Sequence, residues 1–291
     1  MGAVEKVQAV IVGGGQAGLA TAYELGRRGI GFTVLEAEER VGDQWRRRWD
    51  SLRLFTPARH DALPGSKFPA PPDSFPGKEE MADYLVAYAR DARLPVRTGV
   101  RALALARGEG SYMLETTAGK LEAEHVVIAT GYQKPKLPAF AAGIDSAVRQ
   151  FHASQYRNPS QLAGDVLVVG AGTSGVEIAI EAARAGHHTV LAGRGTGSIP
   201  PIFYAFKGKV FWFYANRIAS VRTPVGRRMK PLVLSHGAPL IRVKMRDAIA
   251  AGVERAARVV GVEKGVPFCE GGRPVHADTI VWCTGFGRDY S

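Results

Sequence analysis

A glycine-rich turn between an apolar strand and a helix is written twice in this chain, and that repetition constrains its fold more than any other feature. The first copy, VIVGGGQAGLA from Val10 to Ala20, sets Gly13, Gly15 and Gly18 in G-x-G-x-x-G spacing. The second, VVGAGTSGVEIA from Val168 to Ala179, sets Gly170, Gly172 and Gly175 the same way, with Thr173 and Ser174 inside the turn. In such a turn one glycine makes the tight bend, one lets the backbone approach a pyrophosphate, and one lets helix and strand pack closely. The pyrophosphate then rests at the helix N-terminus, where free N–H groups and the dipole favour negative charge.

The strand after each helix separates the two copies. The first helix leads to FTVLE, whose terminal Glu36 stands about 20 residues on, where an acid accepts hydrogen bonds from ribose hydroxyls. The second leads to HTVLAGR, so Ala192 takes the place of the acid and Arg194 stands two residues later. That replacement is the one expected where a 2′-phosphate must be accommodated, which favours NADP(H) over NAD(H) at the second turn. Each half then closes on an apolar strand ending in Thr-Gly-aromatic. Gly131 lies 118 positions after Gly13, and Gly285 lies 115 after Gly170. Between turn and closing strand, YMLETTAG and RVVGVEKGVPFCEGG read as small antiparallel hairpins. The pattern predicts an α/β chain of two Rossmann-like, three-layer dinucleotide-binding domains, each with a small hairpin layer. Residues 1–145 form the first, 146–164 a linker, and 165–291 the second.

Bulk properties agree with two soluble domains. With 291 residues, 46% of them apolar, the chain can bury two cores. Its longest apolar runs fall far short of the roughly 20 residues of a membrane span, and MGAVEKVQ has no signal-peptide core, so a cytoplasmic location is expected. Cys269 and Cys283 form no C-x-x-C pair, which argues against a disulfide framework, a zinc site or a dithiol redox centre. The net charge of +11 is dispersed in clusters such as Arg46–Arg48, Arg227–Lys230 and Arg242–Arg246. We read these as solvated surface with some attraction for phosphorylated cofactors, not as a nucleic-acid site.

At these residues the chain resembles the two-dinucleotide-domain flavoproteins, and within them the flavin-containing monooxygenases with their YUCCA-like members. The resemblance spans nearly the whole chain and rests also on ERVGDQW (Glu39–Trp45), DSLRLFTPARHDALPG (Asp50–Gly65), ATGYQKPKLP and HASQYR (His152–Arg157). The last is similar to the family signature Phe-x-Gly-x-x-x-His-x-x-x-Tyr/Phe-Lys, although Ser146 and Val148 stand at the Phe and Gly positions and Arg157 replaces Lys. Tyr156 points away from the Baeyer–Villiger branch. The resemblance implies FAD at the first turn, held by Gly13, Gly15, Gln16, Gly18 and Glu36, with Trp45 and Arg46 toward the flavin and Thr130 and Gly131 beside it. NADPH is implied at the second. Thr56 lies close to where many relatives place an Asn that supports the flavin peroxide, and His152 is a candidate for cofactor handling or for a hinge.

The activity implied is an NADPH-dependent FAD monooxygenase, in which reduced flavin captures O2 as a C4a-(hydro)peroxyflavin that oxygenates a small nucleophilic or carbonyl substrate. Two other readings stay open: a flavin-linked NADPH reductase with a protein acceptor, and a truncated, non-catalytic nucleotide-binding protein. No acid/base dyad, Ser-His-Asp arrangement or metal-ligand cluster is read from the sequence, and no metal is expected. The aromatic and basic stretch Ile199–Leu234 reads as packing between domains, a lid, or a contact with a membrane surface. Homo-oligomerisation stays open. The sequence stops six residues after Gly285, before the usual return to the FAD domain, and the resemblance then implies an open flavin end, weakly bound FAD and uncoupled NADPH oxidation.

Overall fold

The run Ala9-Val10-Ile11-Val12 carries no polar residue on either face, which suits a strand covered on both sides. It forms the inner end of β1 (Glu5–Val12) in a computed structural model that describes residues 4–131, 134–197, 209–236 and 239–287. The chain divides into two compact units, Met1–Lys134 with Phe286–Ser291, and Pro135–Gly285.

In the first unit, β1 crosses through α1 (Gln16–Gly26) to β2 (Phe32–Leu35), and later elements are α2 (Asp43–Arg46), α3 (Lys78–Asp91), β3 (Val96–Arg97), β4 (Ala102–Arg107), β5 (Tyr112–Thr116) and β6 (Gly119–Ile128). The six strands form one sheet in the order β3-β2-β1-β6-β5-β4. Strands β3, β2, β1 and β6 run parallel, while β4, β5 and β6 are antiparallel. Alternation along β1 splits its burial between two layers: Ile11 packs with Ala22 of α1 and Val34, whereas Val10 and Val12 pack with Leu114, Leu121 and Ala123. The expected hairpin is therefore present, but it is continuous with the main sheet.

The second unit carries a five-stranded parallel sheet. Its strands are β7 (Arg149–His152), β8 (Val166–Val169), β9 (Thr189–Ala192), β10 (Glu254–Ala256) and, after a separate antiparallel pair β11 (Val259–Glu263) and β12 (Val266–Cys269), β13 (Thr279–Trp282). The order is β10-β9-β8-β13-β7. Helix α4 (Thr173–Arg184) packs on this sheet. The other face, Leu167, Val169, Val190, Ala192, Ile280 and Trp282, is closed by Val259, Cys269 and Val275 of the hairpin region. Here the hairpin is a layer of its own, as the sequence pattern predicts.

Two boundaries differ from the expected ones. The segment 146–164 is no free linker: Arg149–His152 pairs with Thr279–Trp282 as the sheet's edge strand, so the second unit begins at Pro135. Phe286 in turn groups with the first unit, where the Arg48 guanidinium lies 5.2 Å from its ring centroid. Of the stretch Ile199–Leu234, residues 199–208 lie outside the described residues. The remainder forms α5 (Lys209–Phe213), a π-helical turn Tyr214–Ile218, and α6 (Pro224–His236), with α7 (Met245–Ala250) after it. No described helix is long and apolar enough to cross a membrane.

The glycines at the third position of each turn carry the tightest packing. A Cβ on Gly18 would stand 1.8 Å from the Gly13 carbonyl oxygen, and one on Gly175 1.8 Å from that of Gly170. A Cβ on Gly172 meets nothing within 4 Å. Gly175→Ala should thus cost at least about 1–3 kcal/mol through overpacking and lower Tm by several degrees. Gly172→Ala should leave Tm within about a degree of the parent. Thermal denaturation of the two variants checks this: equal shifts would show that the backbone contact is not what holds the turn.

Candidate functional site

Each turn begins where a strand ends and the first glycine swings into the left-handed region, φ +111° at Gly13 and +113° at Gly170. Both then meet the closing strand in the same manner. A Cβ on Gly13 would lie 2.5 Å from the Ala129 carbonyl oxygen, and one on Gly170 2.3 Å from that of Cys283. Helix α1 starts at N-cap Gly15 and α4 at N-cap Gly172; neither has a side-chain cap or an acidic residue in its first turn. Both helix N-termini are accordingly left for an anion.

In the first unit, Glu36 closes the turn from the side. Its Oε2 accepts from the Gly14 N–H at 2.8 Å and its Oε1 from the Glu38 N–H at 2.9 Å. Those two bonds fix the carboxylate and leave further lone pairs for hydroxyl donors. Gln16 accepts at 3.2 Å from the indole N–H of Trp45, so the first residue of α1 is tied to α2. Gln44, not singled out in the sequence, lies over the turn: a Cβ on Gly15 would stand 2.6 Å from its Nε2.

In the second unit, a cleft of about 330 Å³ opens on the turn, lined by Gly170–Gly172, Ala192, Gly193, Arg194, Thr196 and Arg258 among others. Arg194 stands at its rim, 75% exposed, with one long contact of 3.4 Å from Nη2 to Glu270. Below the rim Arg255 donates to the carbonyls of Leu191 at 3.0 Å and Gly193 at 2.7 Å, bracing the end of β9. The space over Gly172 leaves its backbone open to the cleft, and the cleft's donor set fits a phosphate-bearing nucleotide.

Three expected site residues are otherwise engaged. The Arg46 guanidinium is 18% exposed and bonds Asp83 at 2.7 Å, Val41 O at 3.1 Å and Asp43 at 3.3 Å, so it joins α2 to α3 rather than reaching into a cleft. His152 is buried. Its Nδ1 takes bonds from the Ser154 backbone N–H at 3.2 Å and hydroxyl at 3.0 Å, which puts the ring proton on Nε2, donating to Gly285 O at 3.0 Å. It therefore pins the end of β7 to the turn after β13, which suits the hinge or packing alternative rather than direct cofactor handling. Thr56 donates to Asp61, whose second oxygen is buried with no hydrogen-bond partner among the described residues. Thr130 and Gly131 lie just beyond β6, Gly131 at φ +70° with open space around it.

Other polar residues escaped the sequence reading because their partners are distant. Lys78 is nearly buried and caps the carbonyls of Arg46 and Arg48, at 3.1 and 2.9 Å, and Asp50 at 3.1 Å. Arg242, read as solvated surface, bonds the buried Glu177 of α4 at 2.7 Å. Burial pushes that carboxyl up while the guanidinium opposes the shift. No pattern in the sequence marks either partner.

Against known proteins, the profile of the pyridine nucleotide-disulphide oxidoreductase family matches residues 10–205. An uncharacterized CzcO-like oxidoreductase of Geobacillus kaustophilus is 34% identical over 98% of this chain and 82% of its own length. The indole-3-pyruvate monooxygenase YUCCA1 of Oryza sativa subsp. japonica is 36% identical over 66% of this chain and 49% of its own. Among solved structures, a doubly substituted flavin monooxygenase from Stenotrophomonas maltophilia aligns over 98% of this chain and 80% of that one, with a TM-score of 0.78 and 26% identity.

Asp61 makes the first unit's stability depend on pH. Burial raises its pKa from 3.8 to about 6, against the opposing bond from Thr56. The folded state holds this proton more tightly than the unfolded one, so the contribution is full below about pH 3.8 and is lost as pH rises through about 6. Asp61→Asn should therefore raise Tm at pH 8 relative to the parent, and the gain should shrink toward zero by pH 4. Melting curves across that range check it; a gain independent of pH would contradict the burial argument.

Proposed function

We propose that this chain, a member of the pyridine nucleotide-disulphide oxidoreductase family and, within it, of the flavin monooxygenases, is an NADPH-dependent FAD monooxygenase acting with O2 on a small nucleophilic or carbonyl substrate. The observation that carries this reading is one contrast between two like turns. Where β2 leads into Glu36, whose carboxylate keeps lone pairs for hydroxyl donors, β9 ends in Ala192 and leads to an exposed Arg194. A dinucleotide with free ribose hydroxyls suits the first and a 2′-phosphate the second.

The residues divide the work accordingly. In the first unit FAD would lie with its diphosphate over Gly13, Gly15, Gln16 and Gly18 and its ribose at Glu36, with Trp45, Thr130 and Gly131 flanking. In the second, NADPH would lie over Gly170, Gly172, Thr173, Ser174 and Gly175. When bound, the flavin supplies the hydride acceptor for NADPH and the centre at which O2 is activated. The chain's own side chains bind, orient and exclude water. Glu36 holds the Gly14 N–H and so keeps the first cradle in shape. The Thr56 hydroxyl is held by Asp61, and His152 fixes the turn at Gly285.

The test is the absorbance spectrum of the purified protein before and after anaerobic NADPH. The parent should be yellow, bleach with NADPH, and then consume O2 without an acceptor protein. Gly15→Val should come out colourless, because the added side chain blocks the pyrophosphate. Gly172→Val should stay yellow and resist bleaching by NADPH. Loss of flavin from Gly172→Val with retention in Gly15→Val would reverse the assignment of the two units, and O2 uptake only in the presence of a protein acceptor would favour a reductase.

A further inference from the structure

The cleft of the second unit carries a second guanidinium that no sequence pattern pointed to. Arg258 lies between β10 and β11, and its exposed side chain lines the same cleft as Ala192, Gly193 and Arg194. Its neighbour Val259 is buried in the core, which anchors the segment. The described residues give Arg258 no acidic partner. Arg255, three positions earlier, is by contrast fully spent on the Leu191 and Gly193 carbonyls and cannot turn outward.

Glu270 stands beside both cleft arginines. Its backbone N–H donates to the Arg258 carbonyl at 2.8 Å, which fixes its place, and its carboxylate makes the single 3.4 Å contact to Arg194. That contact is long, one-pronged and solvent-exposed, so it is among the weakest kinds of ion pair. An anion with more charge and more oxygens displaces it readily.

We infer that Arg258 is a second ligand of the 2′-phosphate, acting with Arg194, and that Glu270 is the internal anion which that phosphate displaces. The inference rests on the reading that this unit holds NADPH. A phosphate monoester brings a charge of about −1.5 to −2 and three acceptor oxygens, enough for two guanidinium groups, whereas a ribose hydroxyl offers neither and leaves the Glu270–Arg194 contact in place. Arg258 then raises affinity for the phosphorylated nucleotide alone, and Glu270 lowers it.

Titration calorimetry with 2′,5′-ADP and 5′-AMP tests this on the chain itself, without flavin or turnover. The parent should bind 2′,5′-ADP at least about tenfold more tightly than 5′-AMP. Arg258→Gln should lose about tenfold for 2′,5′-ADP and nothing for 5′-AMP, the unchanged 5′-AMP affinity serving as the control for folding; Arg258→Lys should recover part of the loss. Glu270→Gln should bind 2′,5′-ADP several-fold more tightly, again with 5′-AMP unchanged. If the parent shows no preference for 2′,5′-ADP, the NADPH reading falls and the inference with it. If the preference is present, vanishes in Arg194→Ala and survives whole in Arg258→Gln, the NADPH reading stands and the role of Arg258 is overturned. Weaker binding of 2′,5′-ADP by Glu270→Gln would overturn the displacement by the phosphate.

Discussion

The contact on which both units depend is a helix backbone laid against a strand-end carbonyl with no side chain between them. Gly18 over the Gly13 oxygen and Gly175 over the Gly170 oxygen are the same contact, at the same 1.8 Å from a notional Cβ. It sets the first turn of each helix where its N–H groups look past the strand end. The positive φ of Gly13 and Gly170 then lets the closing strand come in behind, with the Ala129 and Cys283 carbonyls near enough to exclude any other residue. Strand, turn, helix and closing strand are thereby one mechanical unit. In the second unit the middle glycine is a position that the fold itself does not need to be glycine, as the open space at Gly172 shows, whereas in the first a Cβ on Gly15 would meet the Gln44 side chain.

Identical frames carry opposite electrostatics. The first is closed by a carboxylate that the frame itself holds through Gly14 N–H, and near it Arg46 of α2 pairs with Glu79 and Asp83 of α3 while Lys78 pairs with Asp50. The second is followed by a long stretch of sequence without an acid: between Glu181 and Asp247 there is no Asp or Glu, while the chain as a whole has 38 Lys and Arg against 27 Asp and Glu. The positive surplus is thus concentrated in the stretch that leads into and away from Arg194. A field of that sign favours a polyanionic nucleotide and raises its rate of encounter at low salt.

The fold is legible where its causes are local. Spacing of glycines, apolar runs and the acid-to-arginine change are each contained within a few residues, and they place both turns, both central strands and the separate hairpin of the second unit. The illegible features depend on partners far along the chain. Nothing near Arg149–His152 says that it pairs with Thr279–Trp282, so a strand reads as linker. Arg46 reads as a free cation until Asp83 arrives from α3, 37 positions away, and Lys78 as a surface lysine until the carbonyls of Arg46 and Arg48 close over it. His152 carries a family signature, and its ring is used up by Ser154 and by Gly285, 133 positions on.

The two cysteines bear on what such a frame can do with electrons. Cys283 occupies the place that Ala129 has in the first unit, packed behind the first glycine of the turn, and enclosure of its sulfur pushes the thiol up to about 12. Cys269, in the core beneath the hairpin, is likewise raised by burial. Both thiols are free, and neither is poised as the thiolate that attacks a disulfide. A family whose name joins pyridine nucleotides to disulfides is therefore represented here by a chain whose sulfurs serve packing.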